Sequence, residues 1–276
     1  MATAQTNKKL VWWKWILLFI AGFFVGAIED TLSIAGNDMS RLIGWPILTI
    51  ATSAIVLMFY ALFVKLTNRC WPTDLKLRKL VPHTLLGMLV GAVYMVLVVS
   101  TIVAWGHGSV SWSDFSGEAQ FSAFMTMLAV AVGEEIFCRG IIFRMIDERW
   151  NTRSALIVSA LFFGFGHLSN DNATWWSSLA IAIEAGLLLA AAYKWSGTLW
   201  VPIGIHWAWN YVQGNVFGLA VSGINIGDGM LATSVNGPDI ITGGAFGPEA
   251  SIITVVLGAL YTLVFLANRY SITRKQ

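Results

Sequence analysis

Charge is scarce in this chain. Only 12% of its 276 residues are Asp, Glu, Lys or Arg, against about 25% in a soluble domain. Half the usual charge leaves too little polar surface for a water-soluble fold, while 57% of the residues are hydrophobic. Net charge is also small, at +2, so no basic footprint for nucleic acid exists and none is expected as a partner. The two cysteines, Cys70 and Cys138, sit in a basic loop and an apolar run, too few and too scattered for a disulfide framework or a zinc knuckle. No repeat of fixed period occurs. Three protease signatures are missing too: H-E-x-x-H is absent, Ser222-Gly223 lacks the rest of a G-x-S-G pattern, and Gly227-Asp228 lacks that of G-x-G-D.

What is present is long apolar runs, which near 18 residues or more become membrane-spanning candidates. Eight spans are expected, at roughly 12–28, 43–64, 82–104, 120–143, 154–169, 174–193, 200–221 and 250–268. Lys14 interrupts the start of the first, and no small-residue cleavage site follows, so it reads as a helix rather than a signal peptide. The fold class is all-α: a polytopic transmembrane helical bundle, residues 1–276 forming one membrane domain in the lipid bilayer. Several of the 14 tryptophans, among them Trp45, Trp105 and Trp200, fall near expected helix ends, where Trp favours the membrane–water boundary. Lys65, Arg69, Lys76, Arg78, Lys79, Arg144, Arg149, Arg153 and Lys194 all fall in alternate loops with the basic termini, and the remaining loops hold Arg41 and mostly acidic residues. That asymmetry obeys the positive-inside rule with both termini cytoplasmic, and it favours an even number of spans. The loop at 222–249, rich in Gly, Asn, Asp and Pro, is expected to be a lid or a plain surface loop.

Ionisable side chains inside a bilayer cost roughly 2.5–3.5 kcal/mol each on insertion scales and usually face the bundle interior. Residues 131–140 hold three. Glu135 and Arg139 share a helical face in the favourable order and read as a structural pair. Glu134 points about 100° away and reads as facing a polar cavity, although a three-membered structural network fits the spacing equally well. Phe163 and His167 share a face four residues apart, with glycines at 164 and 166 that permit close approach of another helix. Such a His can be interhelical glue. Pro202 suits the first turn of a helix that carries His206 and Asn210 on one face. Glu184 reads as a structural hydrogen-bonding group, and Glu249 as a helix-start carboxylate stabilised by the dipole.

A Glu, two His and an Asn converging in a membrane cavity suit amide hydrolysis. Glu134 and His167 can hold and deprotonate water, with His206 and Asn210 donating to the oxyanion. Alternatively Glu134, His167 and His206 are ordinary ligands for zinc or another divalent metal. The residues alone leave both routes open.

Glu134-Glu135-x-x-x-Arg139, Phe163-x-x-x-His167 and His206-x-x-x-Asn210, in that order, resemble the motifs of the CPBP family of intramembrane peptidases (CAAX proteases and bacteriocin-processing enzymes), which includes the eukaryotic Ras-converting endopeptidases. The resemblance covers about residues 120–220, the expected catalytic core. It implies an endopeptidase acting on a membrane-associated or lipidated peptide or protein. Glu134 and His167 would activate water, His206 and Asn210 would form the oxyanion hole, and Glu135, Arg139 and Phe163 would support them. The family is often classed as metallopeptidase, but likeness to the eukaryotic enzymes favours a glutamate-dependent mechanism requiring no cofactor. The short loops are similar to prokaryotic relatives, which implies a prokaryotic plasma membrane and not CAAX cleavage itself. Two other classes of function remain: a non-catalytic scaffold or bacteriocin-immunity protein that binds with the same cavity, and a small proton-coupled carrier.

Overall fold

The computed structural model describes residues 20, 44–227 and 229–273. The expected first span lies outside them apart from Ile20. Helices α1 (Gly44–Asn68), α2 (Leu80–Ala104), α3 (Gly117–Arg149) and α5 (Trp175–Ser196) are each long and apolar enough to cross a membrane. Their outer faces remain apolar: Ile47, Met58, Leu62, Leu85, Leu89 and Val93 are all exposed, the surface a hydrocarbon solvent requires. The chain is thus an all-helical bundle and an integral membrane protein.

Two further helices are short, one of them covering the expected 154–169 with its closing turn and the other ending before the expected 221. Helix α4 covers Thr152–Gly166, 15 residues, about 22 Å at 1.5 Å per residue against a hydrocarbon core of about 30 Å. It closes in a 3-10 turn, His167–Ser169. Helix α6 covers Trp200–Tyr211 and continues only through a π-helical turn, Val212–Val216. Apolar residues on both sides of the α6 end made that run look continuous to 221. After α6 the chain passes through a two-stranded antiparallel sheet, in which Leu231–Val235 (β2) pairs with Gly108–Trp112 (β1). A short α7 (Asp239–Thr242) follows, then α8 (Ile252–Thr273). Neither strand was expected, because each is five residues long inside a polar loop.

Helices α2 and α6 form the closest crossing, which rests on glycine. A Cβ on Gly91 would lie 2.2 Å from the carbonyl oxygen of Ile205, and one on Gly87 2.2 Å from that of Val201. This is the small-x-x-x-small spacing that lets membrane helices touch backbone to backbone, and it fixes the depth of His206, the residue after Ile205. Gly164 does the same for α4 against α5, whereas Gly166, expected to share that role, faces open space.

One end of the bundle gathers the basic residues around a buried aspartate. Asp74 Oδ2 accepts from Tyr60 Oη (2.7 Å, α1), Tyr193 Oη (2.6 Å, α5) and Arg144 Nη1 (3.4 Å, α3). The β-pair and the 217–251 segment occupy the opposite end.

Gly91→Ala is expected to destabilise the protein by about 1–3 kcal/mol, read as a lowered melting temperature in detergent, because the methyl must push α2 off α6. Gly166→Ala, with nothing within 4 Å of its added Cβ, is expected to change stability by no more than about 0.5 kcal/mol. Equal shifts in the two variants would show that the crossing is not tight.

Candidate functional site

Three consecutive features of the chain bring polar residues to mid-bundle. Each lies next to an irregular helical turn: π-helical Ile136–Phe143 follows Glu134 and Glu135, the 3-10 turn follows α4 at His167, and π-helical Val212–Val216 follows Asn210. A fourth, π-helical Ala182–Leu187, carries Glu184 in α5. Wide turns of this kind re-aim side chains and are frequent at functional sites.

The centre of the arrangement is the carboxylate of Glu135, wholly buried together with Arg139. Its Oε1 accepts from Arg139 Nη1 at 2.7 Å and lies 3.0 Å from His206 Nδ1. The expected i,i+4 pair is therefore present, and it reaches across to α6 as well. Arg139 Nη2 donates to the carbonyls of Ala185 (3.4 Å) and Gly186 (3.1 Å) in the π-turn of α5. Its guanidinium carbon stands 4.4 Å from the ring centroid of Phe163 on α4, a cation–π distance. The Phe163 ring also meets the rings of His167 (4.9 Å) and His206 (5.9 Å), so Phe163 acts as an apolar wedge among three ionisable groups.

The hydrogen bonds determine where the histidine protons sit. His167 Nδ1 is 2.7 Å from the carbonyl oxygen of Phe163. A carbonyl only accepts, so Nδ1 carries the proton and Nε2 keeps its lone pair. His206 Nδ1 faces the Glu135 carboxylate and likewise carries a proton. Its Nε2 looks towards Glu134, 3.9 Å from Oε2, too long for a hydrogen bond. That oxygen is buried with no hydrogen-bond partner.

Glu134, His167, His206 and Asn210 all line one cavity of 170 Å³, together with Glu184 and Glu249. The structure thus brings the four expected residues together, with Glu135, Arg139 and Phe163 packed behind them. Asn210 is 7% exposed. The remaining walls are apolar, including Met127, Val130, Ile181 and Leu189.

Several members of the site were not expected. Val221, Ser222, Ile224 and Ile226 close the cavity from the 217–251 segment; that segment is therefore a roof and not a plain surface loop. Glu249 holds it down. Its carboxylate accepts from the backbone N and Oγ of Ser222 and from Gln213 Nε2 (2.9 Å), which corrects the helix-dipole reading of this residue. Burial raises its pKa above the ordinary carboxylate value, against the lowering effect of those hydrogen bonds. Trp209 Nε1 donates to Gln213 Oε1 at 3.0 Å. Gln213 was legible in principle: His206, Asn210 and Gln213 follow an i, i+4, i+7 pattern on one face. Ser222 carried no comparable signal.

Among the described residues no group of three or more His, Cys, Asp or Glu side chains comes together as a metal-binding set. His206 Nδ1 is engaged by Glu135 and His167 Nδ1 by a carbonyl, which leaves Nε2 of each ring as the atom turned to the cavity.

Residues 116–212 match the family model described as type II CAAX prenyl endopeptidase Rce1-like. Over α3 to α6 the chain is thus similar to the Rce1-like peptidases, the same family as the motif resemblance. The matched stretch holds all seven motif residues, while Ser222 and Glu249 lie beyond it. No curated protein and no solved structure matches the chain.

Removing the cation from the central pair should cost more than removing both charges. Arg139→Met alone is expected to destabilise by about 3–5 kcal/mol, because Glu135 is left buried and uncompensated. The Glu135→Gln/Arg139→Met double variant is expected to lose less than the sum of the singles. Thermal unfolding of all four proteins in one detergent measures this, and strict additivity would contradict a shared charge network.

Proposed function

We propose that the protein is an intramembrane endopeptidase that hydrolyses a peptide bond of a membrane-associated or lipidated peptide or protein, using Glu134, His167, His206 and Asn210. The observation that carries this reading is the orphaned Glu134 Oε2, facing His206 Nε2 across a gap in the cavity that His167 and Asn210 also line. A gap of 3.9 Å between an acceptor and a ring nitrogen accommodates a reacting oxygen.

In this reading a water sits between the Glu134 carboxylate and the unprotonated Nε2 of His167. Glu134 takes a proton as the water oxygen attacks the peptide carbonyl. The new oxyanion receives hydrogen bonds from His206 Nε2–H and the Asn210 amide. His206 then carries protons on both nitrogens, and its charge is offset by Glu135, whose second partner is Arg139. The carbon–nitrogen bond breaks as Glu134 passes its proton to the departing amine, so that one water is consumed and an acid and an amine are released. No step uses a metal. With Glu134 protonated, the charges of Glu135, Arg139, His206 and the oxyanion sum to zero, which suits a site walled by apolar side chains.

The clustering of Lys and Arg around the Asp74 end supports cytoplasmic termini by the positive-inside rule, with the roofed end on the other side of a prokaryotic plasma membrane. The cavity's apolar walls support a substrate presented from the bilayer.

Purified protein, assayed on membrane-anchored peptides, is expected to lose at least about 10³-fold in kcat on Glu134→Gln and about 10²–10³-fold on Asn210→Ala, with KM little changed in the second case. Activity is expected to survive exhaustive dialysis against a chelator. Undiminished cleavage by Glu134→Gln would remove the enzymatic reading and leave a binding role for the cavity. Loss on chelation with recovery on adding zinc would replace the metal-free route.

A further inference from the structure

Two carboxylates in the cavity take no part in the chemistry above. Glu184 is fully buried in the π-turn of α5 and faces the same cavity as Glu134 and His167. Its Oε1 has no hydrogen-bond partner. Its Oε2 lies 3.3 Å from Tyr94 Oη, but that hydroxyl has a closer acceptor, the carbonyl of Thr254, at 2.7 Å. A phenol has one proton to give, so Glu184 receives little from Tyr94.

Glu249 forms the matching wall. Glu184 is held against the first turns of α8, where a Cβ on Gly258 would lie 2.6 Å from Glu184 Cα, and Glu249 immediately precedes that helix. Its donors are Ser222 and Gln213, both neutral. No Lys or Arg lines the cavity among the described residues. Arg139 touches the same π-turn, but it gives its guanidinium to Glu135 and to the carbonyls of Ala185 and Gly186.

Buried carboxylates are ordinarily paired with a cation or several donors. Glu249 has three neutral donors, whereas Glu184 has almost none, and no cation among the described residues lines the cavity beside them. A spherical ammonium, with three donors and a small radius, meets the free Oε1 of Glu184 better than a guanidinium, whose planar fork needs two open acceptors side by side. We propose that Glu184 and Glu249 form a subsite that takes a primary ammonium group of the substrate, so that the enzyme selects peptides carrying one beside the cleaved bond. The proposal rests on the peptidase reading for its role in substrate choice, but the subsite itself is a binding site and can be tested without turnover.

A lysine side chain and a free peptide N-terminus both supply a primary ammonium. Lipid-anchored peptides of one sequence separate them: lysine with an acetylated N-terminus, norleucine with a free N-terminus, and norleucine with an acetylated N-terminus. At least one of the first two is expected to be cleaved with kcat/KM about tenfold above the third, and which one identifies the source. That ratio is expected to fall towards one in Glu184→Gln and in Glu249→Gln. Independently, n-butylammonium is expected to raise the melting temperature of the wild type and of Glu134→Gln, while n-butanol does not, and the rise is expected to vanish in Glu184→Gln. A thermal shift without any peptide cleavage would overturn the peptidase reading and leave the subsite standing. Cleavage with equal rates on all three peptides and no thermal shift would overturn the subsite alone.

Discussion

Glu135 cannot be satisfied by its own helix. Its Oε1 accepts from Arg139 one turn away and from His206 on α6, and the remaining reach of Arg139 extends to the α5 backbone and to Phe163 on α4. Four helices are thus joined at one carboxylate and one guanidinium, both with no exposed surface. Ion pairs buried this deeply repay their desolvation only when geometry is good and the leftover donors are used. Here Nη1 and Nη2 are used and Nε is not. The pair is therefore better understood as fixing one arrangement than as a source of net stability. With Glu135 in place, His206 has a defined ring orientation, and the face it turns to the cavity is settled before any substrate arrives.

The wide helical turns follow from the same demand. A regular α-helix would place the carbonyls of Ala185 and Gly186 wholly within its own ladder, whereas the π-turn Ala182–Leu187 leaves them able to accept from Arg139. Backbone irregularity at membrane depth is tolerated only where other protein groups satisfy it, and the guanidinium is such a group. The two helices that stop short, α4 and α6, obey the same rule in another way. Their ends lie under the 217–251 segment, where Asn170 donates to the carbonyl of Ser222 and Gln213 donates to that of Ala220.

How much of this could be read from the sequence depends on the range of each interaction. The pairing of Glu135 with Arg139 and the divergence of Glu134 follow from helical spacing, so they were legible. The seat of His206 on Glu135 was not, because 71 residues separate them and only the packed bundle brings them together. Gly87 and Gly91 carried a spacing signal, but it lay inside an apolar run that already read as a span, and nothing drew attention to it. The helix end after Tyr211 was hidden by the apolar residues that follow it. The β-pair joins two five-residue strands whose register partners lie 119 residues apart at Trp112–Leu231 and 127 at Gly108–Val235, so local pattern alone does not reveal it. Glu249 was assigned to a dipole because a helix follows it, while its hydrogen bonds run sideways to Ser222 and Gln213.

That last correction bears on why a membrane site needs a roof. A cavity lined by the three carboxylates Glu134, Glu184 and Glu249 is too polar to be left against lipid. The 217–251 segment meets that need by lying partly inside the bundle: Phe217, Leu219, Phe246 and Ala250 are buried in the main apolar core, and the backbone N and Oγ of Ser222 bond to Glu249. Ser222 adopts φ 49°, a left-handed conformation that costs an L-residue roughly 1–2 kcal/mol. The carboxylate of Glu249 offsets that cost by binding both donors of the strained residue at once. The roof is therefore held by a polar strut at the cavity's own wall, and any group that enters to bind Glu249 must share it with Ser222.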